Sequence, residues 1–158
     1  MIREVHMGEG FISKSPDIIM SQGLGSCVVV TIYDSRNKIG GLAHVMLPDS
    51  KRYEPGMVPY KYADTAILYL LEGLKAGLSE KPYLIAKLVG GAQMFKKLDQ
   101  TDVGIGIQNI KAIKRILQNE KIPVVGEDIG GHVGRSVEFH LEFGTLFVIK
   151  IGENPRSI

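Results

Sequence analysis

The chain has 158 residues, 44% hydrophobic and 23% charged with no tryptophan, the composition of a folded domain and not of a disordered segment. Nineteen basic residues against seventeen acidic leave a formal charge of +2, and apart from KAIKR at 111–115 they are scattered, which excludes the concentrated stripe that nucleic acids demand. No apolar run approaches the roughly 18 residues of a membrane span, and MIREVHMGEG at the start lacks the apolar centre of a signal peptide, so one cytoplasmic domain over 1–158 is expected.

Along the chain, DIIMS at 17–21 reads as a short strand that stops at the flexible QGLGS segment. Val28 to Asp34 is a β-branched strand, DSRN at 34–37 a turn, and Ile39 to Leu47 a third strand ended by Pro48. This is a hairpin. Between Pro59 and Gly77 the residues Ala63, Ala66, Ile67, Leu70, Leu71 and Leu74 recur at helical spacing, with Pro59 suited to the first turn and Gly77 to the stop. YLIAKLVGG at 83–91 reads as a buried strand. The glycine-rich VGGAQMF at its end leads to a second amphipathic helix, with Ile107, Ile110, Ile113 and Leu117 on one face and Pro123 beyond it. IPVVGEDIG is a further strand. In SVEFHLEFGTLFVIKI two strands flank a turn near Gly144, the first alternating Val137, Phe139 and Leu141 with Glu138, His140 and Glu142. The expected fold class is α/β: two main helices packed on mostly antiparallel sheets.

Cys27 is the one cysteine, so it has no disulfide partner within the chain. It stands between a glycine-flanked turn, QGLGS, and a β-branched run. A lone cysteine is usually a small buried hydrophobe. Two neighbours argue for chemistry. Gly23 and Gly25 permit a turn that aims the N–H groups of Ser26 and Cys27 at a developing oxyanion, and His44 lies in an otherwise apolar strand, where an imidazole is costly unless hydrogen-bonded. A turn centred between Ser35 and Arg36 sets Cys27 directly opposite His44, with Cβ atoms ~4.5–5.5 Å apart on one sheet face. A register shifted by two makes them diagonal neighbours, and a bulge at Gly40–Gly41 would separate them. A cysteine beside an imidazolium becomes a thiolate, and such a pair attacks a carbonyl carbon and protonates a leaving amine, the chemistry of acyl transfer from an amide. Ser21 has a hydroxyl or a backbone carbonyl with which to orient the imidazole, or it is a strand-end serine satisfied by solvent. His6, His44, His132 and His140 show no zinc-ligand spacing, and GLGSC lacks the lysine and spacing of a phosphate-binding loop, so no metal or cofactor is expected. VGGAQMF and EDIGGHVGRS are tight turns or the walls of a cleft.

GLGSC at 23–27, AHVMLPDS at 43–50, KYAD at 61–64, KLVGGAQMF at 87–95 and EDIGGHVGRSV at 127–137 together resemble the CheD family of chemoreceptor glutamine deamidases, in order along nearly the whole chain. The resemblance implies hydrolysis of glutamine side-chain amides on methyl-accepting chemotaxis receptors, giving glutamate and ammonia without a cofactor. It implies a layered α/β/β sandwich similar to the catalytic domain of the cytotoxic necrotizing factors. The family's nucleophile falls on Cys27, its base on His44 and its third position, usually threonine, on Ser21. It implies CheC as a partner. The alternatives are a protease or transglutaminase of the same chemistry, and a non-catalytic adaptor that docks on receptors or CheC.

Overall fold

Val28 to Asp34, VVVTIYD, is buried at every position, the pattern of a strand covered on both faces. It sits at the centre of the computed structural model, which describes residues 1–52, 58–78, 82–94 and 104–158. The elements are β1 (Ile2–Glu4), β2 (Gly10–Lys14), β3 (Ile18–Leu24), β4 (Val28–Asp34), β5 (Ile39–Val45), α1 (Ala63–Lys75), β6 (Leu84–Gly90), α2 (Ile105–Asn119), β7 (Val124–Ile129), β8 (Arg135–His140), β9 (Thr145–Ile149) and β10 (Arg156–Ser157). One sheet has the order β2-β5-β4-β6-β7 and the other β1-β3-β8-β9-β10. Strands β6 and β7 are parallel, as are β1 and β3, and the remaining described pairs are antiparallel. Both sheets are therefore mixed, and α2 is the crossover that a parallel β6–β7 pair requires.

Alternation along β4 sets the layers. Val28, Val30 and Ile32 pack with Ala66, Leu70 and Ile113 of the helices, whereas Val29 and Tyr33 pack with Ile19, Phe139 and Leu146 of the other sheet. Helices, first sheet and second sheet thus stack in that order. The expected alternation in β8 is present, with Val137 and Phe139 buried and Glu138 and His140 partly exposed. No described helix is long and apolar enough to cross a membrane.

The sequence reading needs four corrections. The hairpin register is shifted by two: Val29, not Cys27, lies opposite His44, and Asp34 pairs with Ile39. The cause is a four-residue loop, in which the Asp34 carboxylate accepts the amide of Arg36 (2.9 Å) and the side chain of Asn37 (2.6 Å) and Lys38 takes a φ of 51°. Pro59 does not open α1 but belongs to a short 3₁₀ turn, Pro59–Lys61, ahead of it. Ile107 is 38% exposed, and the buried face of α2 uses Gly106 and Asn109 with Ile113 and Leu117. The first strand runs past Ser21 to Leu24, taking in part of the segment expected to be flexible, with a register irregularity against β8 between those residues.

One glycine fixes the end of β6 beside the chain before β4. Gly90 has φ +117°, and a Cβ there would strike the carbonyl oxygen of Cys27. Gly91 then donates its N–H to that same oxygen at 2.8 Å.

Candidate active site

His44 reaches the interior because β5 alternates: Ala43 and Val45 join the core under the helices, while Leu42 and His44 face the second sheet. Its backbone is clamped on both sides, donating to Glu9 O at 2.9 Å and accepting from Gly8 N at 2.9 Å. Ser21 of β3 faces it from the other sheet. The Ser21 hydroxyl donates to Val5 O at 2.6 Å, and its oxygen lies 2.8 Å from His44 Nδ1. A hydroxyl has one proton, and here Val5 receives it, so the Ser21 oxygen accepts from a protonated Nδ1. The tautomer follows. Nε2 carries the lone pair, is buried and has no hydrogen-bond partner among the described residues.

Cys27 occupies the position just before β4 and belongs to the inter-sheet cluster with Val29. Since Val29 faces His44 across the hairpin, Cys27 is the diagonal neighbour of His44 on the same sheet face, a separation of about 7–8 Å between backbones that a side chain can cross. The structure thus joins Ser21 to His44 directly, and Cys27 stands two residues before Val29, the residue opposite His44. Cys27 as a residue keeps 8% exposure while His44 has none.

The electrostatics correct one expectation. Burial pushes the Cys27 thiol up, with its own backbone amide pulling the other way. Burial also drives the His44 imidazole down to about 4, against the pull of the Val5 carbonyl and with a small push from His6. Both shifts favour the uncharged thiol and imidazole over the expected thiolate–imidazolium couple, because both sites are desolvated.

The segment before Cys27 is pinned by its carbonyls. Gly23 takes φ +69°, and Gly25, Ser26 and Cys27 give their oxygens to Ala92 N (2.9 Å), Asn109 Nδ2 (3.0 Å) and Gly91 N (2.8 Å). Among the described residues, neither the Ser26 nor the Cys27 amide is spent on a backbone carbonyl. Asn109 was not anticipated from sequence. A polar residue on the apolar face of α2, between Gly106 and Ile113, was the available signal. Its Nδ2 also donates to Met46 O at 3.0 Å, and its buried Oδ1 has no hydrogen-bond partner among the described residues.

The two glycine-rich loops meet as walls. Gln93 N donates to Gly131 O (2.8 Å), Gly130 N to Gly90 O (2.9 Å), and His132 Nδ1 lies 2.8 Å from Gln93 O. Arg135 braces the second loop, donating to Gly130 O (2.7 Å) and Val133 O (3.2 Å) and pairing with Asp128 (3.1 Å). Met94 is 49% exposed and lines two adjoining hollows, one with Ser26, Ala92 and Gly104–Ile107, the other with Gly23, Val133 and Gly134. Phe95, the last residue of the first loop, lies outside the described residues. His140 stands apart from the site, 3.2 Å from Glu138 and edge-on to Phe147.

Residues 46–150 match the family model for CheD, described as chemotactic sensory transduction. The chain is 43% identical to a probable chemoreceptor glutamine deamidase CheD of Caldanaerobacter subterraneus, covering 99% of this chain and 98% of the relative. It is 43% identical to the chemoreceptor glutamine deamidase CheD of Thermotoga maritima, covering 96% and 94%. A probable enzyme of that name from Clostridium botulinum is 44% identical over 88% of both chains. With likeness of that depth over nearly its full length, the chain belongs to the CheD family.

Proposed function

We propose that this protein is a chemoreceptor glutamine deamidase, in which Cys27 is the nucleophile, His44 the general base and acid, and Ser21 the residue that orients the imidazole. The Cys27 sulfur bonds to the glutamine carbonyl carbon as its proton passes to His44 Nε2. The amides of Ser26 and Cys27 receive the negative charge that forms on the carbonyl oxygen. The carbon–nitrogen bond then breaks, Nε2 returns the proton to the leaving nitrogen, and ammonia departs from a thioester. Water, deprotonated by His44, cleaves the thioester to glutamate and restores the thiol.

The observation that carries this reading is the chain from Val5 O through the Ser21 hydroxyl to His44 Nδ1, which leaves a bare, buried Nε2 on the side of the imidazole away from the serine. A buried polar atom left without a protein partner is uncommon, and an imidazole nitrogen so placed is free to take a proton. The depressed His44 value disfavours a preformed ion pair and leaves the imidazole in the neutral form that can accept a proton. The names of the relatives supply the substrate class: chemoreceptor glutamines. The stack of helices on two sheets agrees with the likeness to the cytotoxic necrotizing factor catalytic domain that the family resemblance implies. By the same resemblance CheC is a partner, competing with receptors for this face.

Incubation with purified cytoplasmic fragments of a chemoreceptor, followed by site-resolved mass analysis and ammonia assay, tests the reading. Conversion of particular glutamines to glutamate with an intact substrate chain is expected. A cut or cross-linked chain points to a protease or transglutaminase, and no change in any receptor fragment contradicts the proposal.

A further inference from the structure

Three successive carbonyls hold the turn that leads into Cys27, and two of their partners are backbone amides, Ala92 N for Gly25 and Gly91 N for Cys27. The third partner is a side chain, Asn109 Nδ2, at 3.0 Å from Ser26 O. In a planar trans peptide the C=O and the following N–H point in opposite directions, so fixing one fixes the other. Holding Gly25 O directs the Ser26 N–H, and holding Ser26 O directs the Cys27 N–H away from α2. The second proton of Asn109 Nδ2 goes to Met46 O, two residues past His44. One carboxamide therefore joins the segment that carries Cys27 to the end of the strand that carries His44. Two carbonyl oxygens demand two N–H donors, which also fixes which atom of the Asn109 side chain is nitrogen.

We infer that Asn109 is a positioning residue for deamidation: through Ser26 O it aims the Cys27 amide at the oxyanion, and through Met46 O it keeps that amide in register with the imidazole. The assignment rests on the deamidase reading above. Aspartate at 109 is isosteric but offers oxygens where both carbonyls need donors. Alanine removes the donors without placing a carboxylate in the core.

The test compares wild type, N109D and N109A by three readings: thermal unfolding, kcat and KM on a receptor fragment, and the rate at which iodoacetamide alkylates Cys27 above pH 9. Alkylation needs the thiolate but forms no oxyanion. Loss of an oxyanion donor lowers kcat by ~10²–10³, so a fall of about tenfold or more is expected from its misdirection, in folded variants. KM and the alkylation rate should stay within about threefold of wild type. The inference is overturned if kcat is unchanged, if alkylation falls as far as kcat, or if neither variant folds, since the residue's role is then structural. Failure of wild type to deamidate strikes the deamidase reading itself, and activity retained in Cys27→Ala strikes the cysteine nucleophile on which it rests. An active wild type with unaffected Asn109 variants strikes this inference alone.

Discussion

The oxygen of Ser21 stands 2.8 Å from Nδ1 of His44 while its O–H donates a hydrogen bond to Val5 O, so one serine decides which nitrogen of the imidazole is open. Ser21→Ala removes the acceptor of Nδ1–H and the donor to Val5 O. One lost hydrogen bond of about 1–1.5 kcal/mol predicts roughly a tenfold fall in kcat. Ser21→Thr keeps the hydroxyl and restricts its rotation, and should hold kcat at or above the wild-type value. Steady-state kinetics on a receptor fragment separate the two variants.

The depressed imidazole makes a prediction in pH. Burial brings His44 from an ordinary 6.5 down to about 4, and the proposed mechanism uses the neutral imidazole. The acid limb of kcat/KM, which reports the free enzyme, should therefore fall well below pH 6. Stability follows the same sign. Between the two values the unfolded chain binds the extra proton, so stability is full above about pH 6.5 and declines as pH falls toward 4, by up to about 3 kcal/mol at roughly 1.4 per pKa unit. Urea unfolding of wild type and His44→Gln at pH 7.5 and 5 checks this: the difference between them should shrink or reverse at the lower pH.

Cys27 should be sluggish toward alkylating reagents at neutral pH despite its proposed role, because burial raises its thiol. The rate of iodoacetamide labelling should climb with pH beyond the range of an ordinary thiol. A plateau of fast labelling below pH 7 would show a preformed thiolate instead.

Asp128 is buried among Arg135 (3.1 Å), Arg156 (2.6 Å) and Lys150 (3.3 Å). Burial pushes its carboxyl up, but the bonds from Arg156 and Lys150 and the charge of Arg135 outweigh this and hold it below the ordinary value. Its contribution to stability is present above the ordinary carboxyl range and is lost as pH falls through the lowered value. Asp128→Asn strands the Arg135 cation and should cost about 3–5 kcal/mol by chemical unfolding. Arg135→Ala should cost less, since Asp128 keeps two other partners, but it frees Gly130 O and Val133 O and so loosens the cleft wall.

Gly90→Ala should destabilise by about 2 kcal/mol or more and displace Cys27, since φ is +117° and a Cβ meets the Cys27 carbonyl. Unfolding by urea gives the first effect and the lost kcat the second.

Local chemistry was readable from the sequence wherever a residue type had a nearby cause. The β-branched run of β4, the Val137–Phe139 alternation and the apolar stripe of α1 each state their partners by periodicity. Cys27 and His44 drew notice through the glycine turn and the isolated histidine, and the contact of Ser21 with His44 was one of two readings open to that serine. The hairpin register was not, because Asp34 can cap a two-residue or a four-residue loop and sequence does not choose. Strands β1 and β2 escaped because they are short and no position in them is buried. Asn109 escaped because its partners, Ser26 O and Met46 O, are 83 and 63 residues away and meet only when β4, β5 and α2 are stacked.

Conversion of receptor glutamine by Cys27→Ala, with its fold verified by circular dichroism, bears most directly on the proposed chemistry. The variant should retain the secondary structure of wild type and yield no glutamate at sites that wild type converts. Glutamate appearing at those sites at the wild-type rate would contradict a sulfur nucleophile at the mouth of this hairpin.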